Sequence, residues 1–214
     1  MTEDSAIVVV VDDDESVCRA LKRLLGAHGF VVETYHSAAA FLLRPISDEP
    51  GCVILDLQLP ELSGIELQQK LAETGLTLPI LFLSAFGDVP TTVRAMKQGA
   101  VDFLTKPVDE AVLVGAVRAA VAGQKQLLER QSARELARGL AATLTPREQD
   151  VARYVIAGML NKQIAADLGI AEKTVKVHRG HVMQKMGVKS VADLVRFCEL
   201  AGIKPETTVS RPAR

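Results

Sequence analysis

The spacing of apolar residues divides the chain into two parts that favour different secondary structure. Between residues 6 and 105, short apolar runs alternate with amphipathic segments, whereas the rest of the chain shows helical spacing only. The runs are almost continuously apolar, as expected of parallel strands that are covered on both faces of a sheet. The predicted strands are AIVVVV (6–11), FVVETY (30–35), CVILDL (52–57), PILFLS (79–84) and VDFLT (101–105).

The amphipathic segments between these runs predict helices over residues 15–28, 37–43, 64–73 and 88–98. Three of the segments are followed by a glycine that favours helix termination, namely Gly29, Gly75 and Gly99. Strands that alternate with helices in this way predict the α/β class, here a five-stranded, doubly wound parallel sheet. Such a sheet binds its ligands at the carboxyl ends of its strands.

A fifth helix is predicted after the last strand. Residues 109–142 contain no proline, and apolar residues recur there at helical spacing, at Leu113, Val117, Val121 and Leu128. The helix continues into a charged linker, for which one continuous helix and a flexible tether both fit the composition. We therefore predict a first domain over residues 1–122 and a helical linker over residues 123–142.

The remaining sequence predicts a second, all-α domain over residues 143–208, followed by a tail over residues 209–214. TPRE (145–148) has the spacing of a capping box, with proline at the first helical position, so a helix begins there and ends near Gly158. Further helices are predicted from about residue 161 to 168, from 172 to 186, and from 190 to Gly202. Four short helices with a tight turn at Gly169 are typical of a helix-turn-helix unit.

Charge is strongly segregated along the chain, although the net charge is only −1. Residues 1–122 contain 9 Lys and Arg against 17 Asp and Glu, and residues 123–214 contain 16 against 9. The acidic part is suited to holding a cation and the basic part to meeting a polyanion such as DNA. Two solvated surfaces of opposite sign would give the same counts, so charge alone leaves both interpretations open.

The cysteines and the N-terminal residues bear on the cellular compartment. Cys18, Cys52 and Cys198 are far apart and show no CxxC spacing, so we expect buried free thiols. The first residues contain no basic stretch followed by an apolar core, and no early apolar run is long enough to cross a bilayer. We expect a cytoplasmic protein that does not associate with membranes.

Candidate chemistry lies at the ends of the predicted strands. Three aspartates (12–14) follow the first strand, and Asp56 lies near the end of the third. Because parallel strands end at the same edge of a sheet, these carboxylates converge, and a cation such as Mg²⁺ would relieve their repulsion. Ser84 ends the fourth strand and Lys106 follows the fifth. A carboxylate with a nearby metal ion, an ammonium and a hydroxyl suits phosphoryl transfer.

Other interpretations of this set remain open from the residues alone. Each side chain could be an ordinary turn, cap or surface residue, although all four strand ends carry a suitable group. A metal-dependent hydrolase or phosphatase would also use such a pocket, but that function leaves the basic domain unexplained. No GxxxxGK[ST] motif is present, which argues against a P-loop nucleotide switch.

Residues 6–122 resemble a receiver domain of the flavodoxin-like type. The resemblance is carried by VVDDDE (10–15), LDLQLPELSG (55–64), SAFGD (84–88) and the pair Lys106-Pro107, which in the family is commonly joined by a cis bond. It implies that Asp56 is the phosphoacceptor and that Mg²⁺ is held by Asp56, Asp12, Asp13 and the carbonyl of Gln58. It further implies that Ser84 and Lys106 hold the phosphoryl group and that Phe103 is an aromatic switch residue.

A receiver domain does not act as an enzyme on other molecules, since the resemblance implies a sensor histidine kinase as the source of the phosphoryl group. We predict that phosphorylation pulls Ser84 inward and makes room for Phe103 to turn in, which would remodel the surface of the fourth helix and fifth strand. Phe103 could equally be an ordinary core residue. A receiver that is never phosphorylated is a further alternative, against which the complete set of site residues argues.

The third C-terminal helix carries the strongest signal for DNA binding. Its sequence, EKTVKVHRGHVMQKM, places apolar residues on an inner face, at Val175, Val182 and Met186. Basic residues occupy its other sides, at Lys173, Lys176, Arg179 and Lys185. A basic helix that follows a short helix and a glycine turn is the usual arrangement for entering a DNA major groove. A solvated charged face is the plainer alternative.

Residues 143–204 resemble the LuxR-type helix-turn-helix, through LTPRE (144–148), NKQIAADLGI (161–170) and TVKVH (174–178). The resemblance implies that Lys176 and Val177 face base edges. It places near the backbone phosphates Asn161, Lys162, Lys173, Thr174 and His178. Two positions depart from the family pattern: Ala171 stands where a serine or threonine often caps the helix, and Gly180 where some relatives have a basic residue that reads bases. Arg179 is a candidate to compensate.

The two resemblances together identify the chain as similar to response regulators of the FixJ or NarL type. They imply double-stranded promoter DNA as a partner and homodimers on paired half-sites, with RNA polymerase as a further candidate partner. Dimerisation through the switched receiver surface is our working hypothesis. Release of one domain from masking by the other is the alternative.

Overall fold

The first part of the chain forms a parallel sheet covered by helices, as the apolar runs predict. A computed structural model of the protein describes residues 6–44, 49–74, 78–85 and 87–206. The chain divides into two compact units, Met1–Leu128 and Glu129–Arg214, called the first and the second unit below. Gly75, Phe86 and the predicted tail (209–214) lie outside the described residues.

Five strands, all paired in parallel, make up the sheet of the first unit. They are β1 (Ile7–Val11), β2 (Val31–Tyr35), β3 (Gly51–Leu55), β4 (Ile80–Ser84) and β5 (Asp102–Thr105), in the order β2-β1-β3-β4-β5. This is the flavodoxin-like order, so the α/β prediction is confirmed. From β1 the chain adds β2 on one side of the sheet and then β3, β4 and β5 on the other side. Ligands bind at such a switch point, which here lies between β1 and β3.

Continuous apolar runs form these strands because both faces of the sheet are covered. Val8 and Val10 belong to the core on one face, and Val9 and Val11 to the core on the other. The covering helices begin and end within two residues of the predicted bounds. They are α1 (Glu15–Ala27), α2 (Ala38–Leu42), α3 (Gly64–Glu73) and α4 (Val89–Lys97).

The last helix of the first unit, α5 (Glu110–Ala142), is 33 residues long and continues into the second unit. The predicted linker therefore lies wholly within one helix, and of the two alternatives the continuous helix is the one observed. The three cysteines are buried and form no disulfide bond, as expected. Among the described residues, none of the helices combines the length and the apolar character needed to span a membrane.

The second unit contains four further helices, also close to their predicted bounds: α6 (Pro146–Ile156), α7 (Asn161–Leu168), α8 (Glu172–Lys185) and α9 (Val191–Ala201). Thr145 and Glu148 form the predicted capping box at the start of α6. The left-handed turn at Gly169, with φ of 65°, joins α7 to α8. Val175, Val182 and Met186 are fully buried, which confirms the predicted inner face of α8.

The start of α8 lacks a side-chain cap. Ala171 occupies the N-cap position with extended backbone, and no side-chain hydrogen bond closes that end of the helix. We expect Ala171→Ser to stabilise the second unit by about 1 kcal/mol, because a serine hydroxyl there accepts from an unpaired backbone N–H. Thermal unfolding followed by circular dichroism would measure the gain. Ala166→Ser, inside α7, is the matched control, and equal effects of the two variants would contradict this account.

Candidate functional site

Two carboxylates lie close together at the switch point between β1 and β3. Asp12 follows β1 and Asp56 follows β3, and these strands are neighbours, with the backbone N–H of Asp56 donating to the carbonyl of Val11 (2.9 Å). Only 2% of Asp12 and 9% of Asp56 is exposed to solvent. Two buried carboxylates on neighbouring strand ends repel each other and need a cation nearby. The structure supplies one from a third strand end.

Lys106, after β5, bridges the two carboxylates. Its Nζ donates to Asp12 Oδ2 at 2.6 Å and to Asp56 Oδ2 at 2.9 Å. Burial alone would lower the pKa of Lys106, but the hydrogen bonds and charges of the two aspartates outweigh burial and raise that pKa. Burial is also the main cause of the raised pKa of Asp12, against the opposing effect of Lys106.

The same edge offers oxygen ligands for a metal ion. Asp12, Asp13 and Asp56 each present a carboxylate oxygen, and these atoms lie within 4.8 Å of one another. Hard divalent cations prefer such oxygen ligands, so the set fits a metal of that kind. Asp13 is exposed, which leaves the group open to solvent. The backbone N–H of Gln58 donates to Asp56 Oδ1 (3.3 Å), and its carbonyl stays a predicted ligand only.

The remaining predicted residues of the first unit surround this group. Ser84, the last residue of β4, is 1% exposed, and its carbonyl accepts from the backbone N–H of Lys106 (2.9 Å). The Lys106–Pro107 bond is cis, as the resemblance predicted. Phe103 is half-buried, with its ring centroid 5.8 Å from that of Phe82 and the planes 26° apart. Phe103 is thus packed against the core without being enclosed by it.

Two glycines control close approaches around the site, and sequence reasoning assigned them no role. A Cβ at Gly64 would lie 2.3 Å from the carbonyl oxygen of Asp56, so only glycine lets α3 begin so near the acidic residue. A Cβ at Gly87 would lie 2.6 Å from the ring of Phe103. Both glycines were visible in the sequence, in LSG (62–64) and FGD (86–88). Their close approaches to Asp56 and Phe103 depend on the fold and could not be predicted from the sequence.

The second unit presents a basic surface along one side of α8. Lys173, Thr174 and Lys176 are exposed, and 49% of Val177 is exposed. Lys162 on α7 is also exposed. Exposed apolar residues beside lysines suit contact with base edges and phosphates. These five of the predicted DNA contacts are therefore accessible.

Three other predicted contacts are half-buried within the unit. Arg179 Nη1 donates to Asn161 Oδ1 (3.1 Å), and both residues are half-buried, so this bond joins α8 to α7. His178 is also half-buried, and its Nδ1 is shielded from solvent without a hydrogen-bond partner among the residues that the structure describes. Only the other ring nitrogen of His178 is left to meet a phosphate in this conformation.

Lys185 differs from its predicted place on the basic outer sides of α8. Its Nζ donates to Glu148 Oε2 on α6 at 2.6 Å and to the carbonyl of Thr143 at 3.1 Å. Glu148 is 3% exposed, and the Lys185 ammonium, together with the backbone N–H of Thr145, lowers the pKa of Glu148 to about 2. Capping-box spacing identified Glu148 as a cap, but this ion pair was missed because its partner is 37 residues away.

Comparison with protein families assigns both parts of the chain. Residues 8–118 match the model of the response regulator receiver domain. Residues 142–198 match the model described as bacterial regulatory proteins, luxR family. The two matches agree with the α/β unit that holds the acidic group and with the helical unit that presents the basic surface.

Similar proteins match over nearly their whole length. Nodulation protein W of Bradyrhizobium diazoefficiens is 46% identical over 203 residues, which are 95% of this chain and 89% of that protein. Response regulator protein TmoT of Ectopseudomonas mendocina is 44% identical over 93% of this chain and 90% of its own. Among solved structures, the response regulator StyR matches with a TM-score of 0.83 and 45% identity, over 91% of this chain and 98% of that one. Full-length FixJ from B. japonicum matches with a TM-score of 0.58 and 37% identity, over 94% and 98%.

Proposed function

The chain belongs to the response regulators that join a receiver domain to a LuxR-type DNA-binding domain, and from this premise we propose that Asp56 is its phosphoacceptor. The phosphoryl group comes from a sensor histidine kinase and switches dimerisation and promoter binding. The proposed domains are residues 1–122 and 143–208, joined by the linker at 123–142. The observation that carries the proposal is Lys106, whose ammonium contacts both Asp12 and Asp56 at the switch point of the sheet.

Mg²⁺ is the proposed metal. Asp12, Asp13, Asp56 and the carbonyl of Gln58 would hold it. When bound, it offsets the negative charge that gathers on the phosphoryl group during transfer. The carboxylates fit this ion because they are close together and Asp13 keeps one side open to solvent. A closed site with nitrogen or sulfur ligands would instead favour zinc.

The protein groups around Asp56 then act in a defined way. A carboxylate oxygen of Asp56 forms a bond to phosphorus as the bond from phosphorus to the donor nitrogen of the kinase breaks. Lys106 is already hydrogen-bonded to Asp56 Oδ2, so its ammonium is in place to pair with the added negative charge. Ser84 is the proposed hydroxyl donor to the same group, from the end of the neighbouring strand β4.

The energy available makes a two-state switch feasible, but only just. Phosphorylation adds roughly −1.5 to −2 charge, and a hydrogen bond to a charged group is worth about 1.5–3 kcal/mol. Hydrogen bonds from Ser84 and Lys106 to the added phosphoryl group would together approach the roughly 5.5 kcal/mol that reverses a 1:99 equilibrium. We propose Phe103 as the residue that responds, since its half-buried ring packs on Phe82 of β4, the strand that ends at Ser84.

The second unit is the proposed reader of promoter DNA. Lys176 and Val177 are proposed to face base edges, with Lys162, Lys173 and Thr174 near phosphates; all five are exposed. The half-buried Asn161, His178 and Arg179 are proposed to contribute from the junction of α7 and α8. The proposed location is the cytoplasm, and RNA polymerase is a further proposed partner.

One experiment tests phosphorylation and its link to DNA binding. The full-length protein is incubated with a small-molecule phosphodonor, with and without Mg²⁺, and examined by intact-mass spectrometry and by retention on double-stranded DNA. We expect a mass increase of one phosphoryl group that requires Mg²⁺, together with stronger retention. Uptake of the label without any change in DNA retention would contradict the proposed link between the two units.

Dimerisation is tested separately by size-exclusion chromatography of the protein before and after phosphorylation. We expect a shift from monomer to dimer, because remodelling around Phe103 changes the surface next to α4, where the apolar side chains of Val89, Val93 and Met96 are exposed. A monomer in both states, with DNA binding still raised, would favour release from masking instead.

Lys173 provides a test of the DNA surface. A lysine that neutralises one phosphate adds about 0.9 to the slope of log affinity against log salt concentration. We expect Lys173→Ala to weaken binding to all duplex sequences and to lower that slope by about one unit. Lys22→Ala, on the exposed side of α1, is the control that should leave both unchanged. Fluorescence anisotropy at several salt concentrations measures the slope, and equal slopes for wild type and Lys173→Ala would rule this contact out.

A further inference from the structure

Three metal-ligating side chains lie together in the second unit, and the proposed function uses none of them as ligands. Glu148 of α6 and His178 and His181 of α8 each offer one donor atom, and these three atoms lie within 4.8 Å of one another. His181 Nδ1 is 3.6 Å from Glu148 Oε1. We infer that this group is a binding site for a transition-metal ion of the Zn²⁺ class, linking α6 to α8.

Helix geometry brings the two imidazoles to one side. His178 and His181 are three residues apart on α8, so their side chains lie on neighbouring positions of the same face. Glu148 lies in the first turn of α6, where the capping box and burial hold its carboxylate in place. A site that is built on two packed helices needs little ordering when a metal ion binds.

The carboxylate of Glu148 has one oxygen to spare. Its Oε2 accepts from Lys185 Nζ (2.6 Å) and from the backbone N–H of Thr145 (2.8 Å). Its Oε1 has no hydrogen bond to any part of the chain that the structure describes, and the Nδ1 of His181 lies 3.6 Å from it. A metal ion can therefore bind Oε1 alone and leave the Lys185 and Thr145 contacts intact.

His178 supplies an independent indication. Its Nδ1 is shielded from solvent and has no hydrogen-bond partner among the described residues. A buried polar atom without a partner costs free energy, which binding of a ligand would recover. Hydrogen bonds within the described part of the chain thus occupy Glu148 Oε2 but leave a ring nitrogen on each histidine free to bind a metal ion.

The ligand types select the class of metal. Two imidazoles with one carboxylate suit Zn²⁺ and similar ions, whereas Mg²⁺ and Ca²⁺ prefer oxygen ligands only. Tetrahedral Zn²⁺ with bonds of about 2.0–2.1 Å sets its ligands roughly 3.4 Å apart, close to the 3.6 Å between His181 and Glu148. The His181 side chain is 55% exposed, so water can complete the coordination. The nearby Lys185 ammonium weakens binding relative to a closed structural zinc site.

Zinc titration of the full-length protein tests this inference. Competition with a chromophoric chelator is followed in excess Mg²⁺, which occupies the acidic group of the first unit. We expect one equivalent of Zn²⁺ to bind the wild type, and His181→Gln to weaken that binding by at least about tenfold. His36→Gln, at an exposed histidine of the first unit, is the matched control and should bind as the wild type does.

A second measurement locates the ion and does not depend on phosphorylation. In NMR spectra, Zn²⁺ should shift the imidazole signals of His178 and His181 and leave those of His28 and His36 unchanged. His181 is exposed, so its glutamine variant is expected to fold, which circular dichroism verifies. Equal zinc affinity of the wild type and His181→Gln, or shifts confined to the first unit, would overturn the inference while leaving the proposed phosphorylation of Asp56 untouched.

Discussion

Asp56→Asn abolishes the Mg²⁺-dependent mass increase that the wild type shows with a small phosphodonor. The carboxylate of Asp56 is the proposed nucleophile, and an uncharged amide neither attacks phosphorus nor binds a divalent cation comparably. Asp56 accepts from the backbone N–H of Gln58 on Oδ1 and from Lys106 Nζ on Oδ2. Asparagine has nearly the same size, and its single amide oxygen can keep one of these two hydrogen bonds. We therefore expect a folded protein that no longer responds to the phosphodonor.

The control for this experiment is Glu73→Gln, which neutralises an exposed carboxylate of the same unit at the end of α3. It should gain the phosphoryl group and bind DNA as the wild type does. Peptide mapping of the phosphorylated wild type should place the modification at Asp56. A phosphoryl group found on Asp56→Asn in equal amount would show that another side chain is the acceptor.

Glu148→Gln destabilises the second unit by about 2–3 kcal/mol, the range for loss of charge-assisted hydrogen bonds at a largely buried group. The substitution removes the negative charge that faces Lys185 Nζ at 2.6 Å, while the side-chain size is unchanged. Hydrogen exchange followed by mass spectrometry should show faster exchange in α6 and α8 than in the wild type. Glu199→Gln, at an exposed position of α9, is the control and should leave exchange unchanged.

The same ion pair predicts how stability depends on pH. The pKa of Glu148 is lowered from 4.5 to about 2 in the folded state, so the unfolded state binds a proton more readily. The stabilisation is therefore fully present above pH 4.5 and is lost as the pH falls towards 2. Chemical unfolding experiments should show that the difference in free energy of unfolding between wild type and Glu148→Gln shrinks over this range. A difference that stays constant between pH 6 and pH 2.5 would contradict the proposed role of the Glu148 charge.

Much of the first unit could be predicted because its requirements are local or periodic. A strand covered on both faces must be apolar along its whole length, as in IVVVV of β1, where four of the five residues are buried. Carboxylates at the ends of β1 and β3 were expected to meet because all parallel strands end at one edge. Lys106 and Asp56 are 50 residues apart, yet this topology brings Lys106 Nζ within 2.9 Å of Asp56 Oδ2.

In the second unit, periodicity and charge predicted the helices but not the partners of their basic side chains. Helical spacing predicted the inner face of α8, and the absence of a cap at Ala171 was visible in the sequence. Charge alone placed Lys185 with the other basic residues of α8, although it turns towards Glu148 on α6. Arg179 similarly reaches Asn161 on α7 instead of standing free. Basic side chains on one helix look alike in sequence, and only the neighbouring helices distinguish them.

The sequence by itself determined the order of strands and helices along the chain, the division into an acidic and a basic part, and the residue types at each strand end. These follow from burial, helix capping and the common direction of parallel strands. The tertiary structure alone decided which donor meets which acceptor across the second unit, the close approach of Gly64 to Asp56, and the grouping of His178 and His181 with Glu148. Such contacts depend on distances of a few ångströms between helices, and no periodic pattern in a single chain encodes these distances.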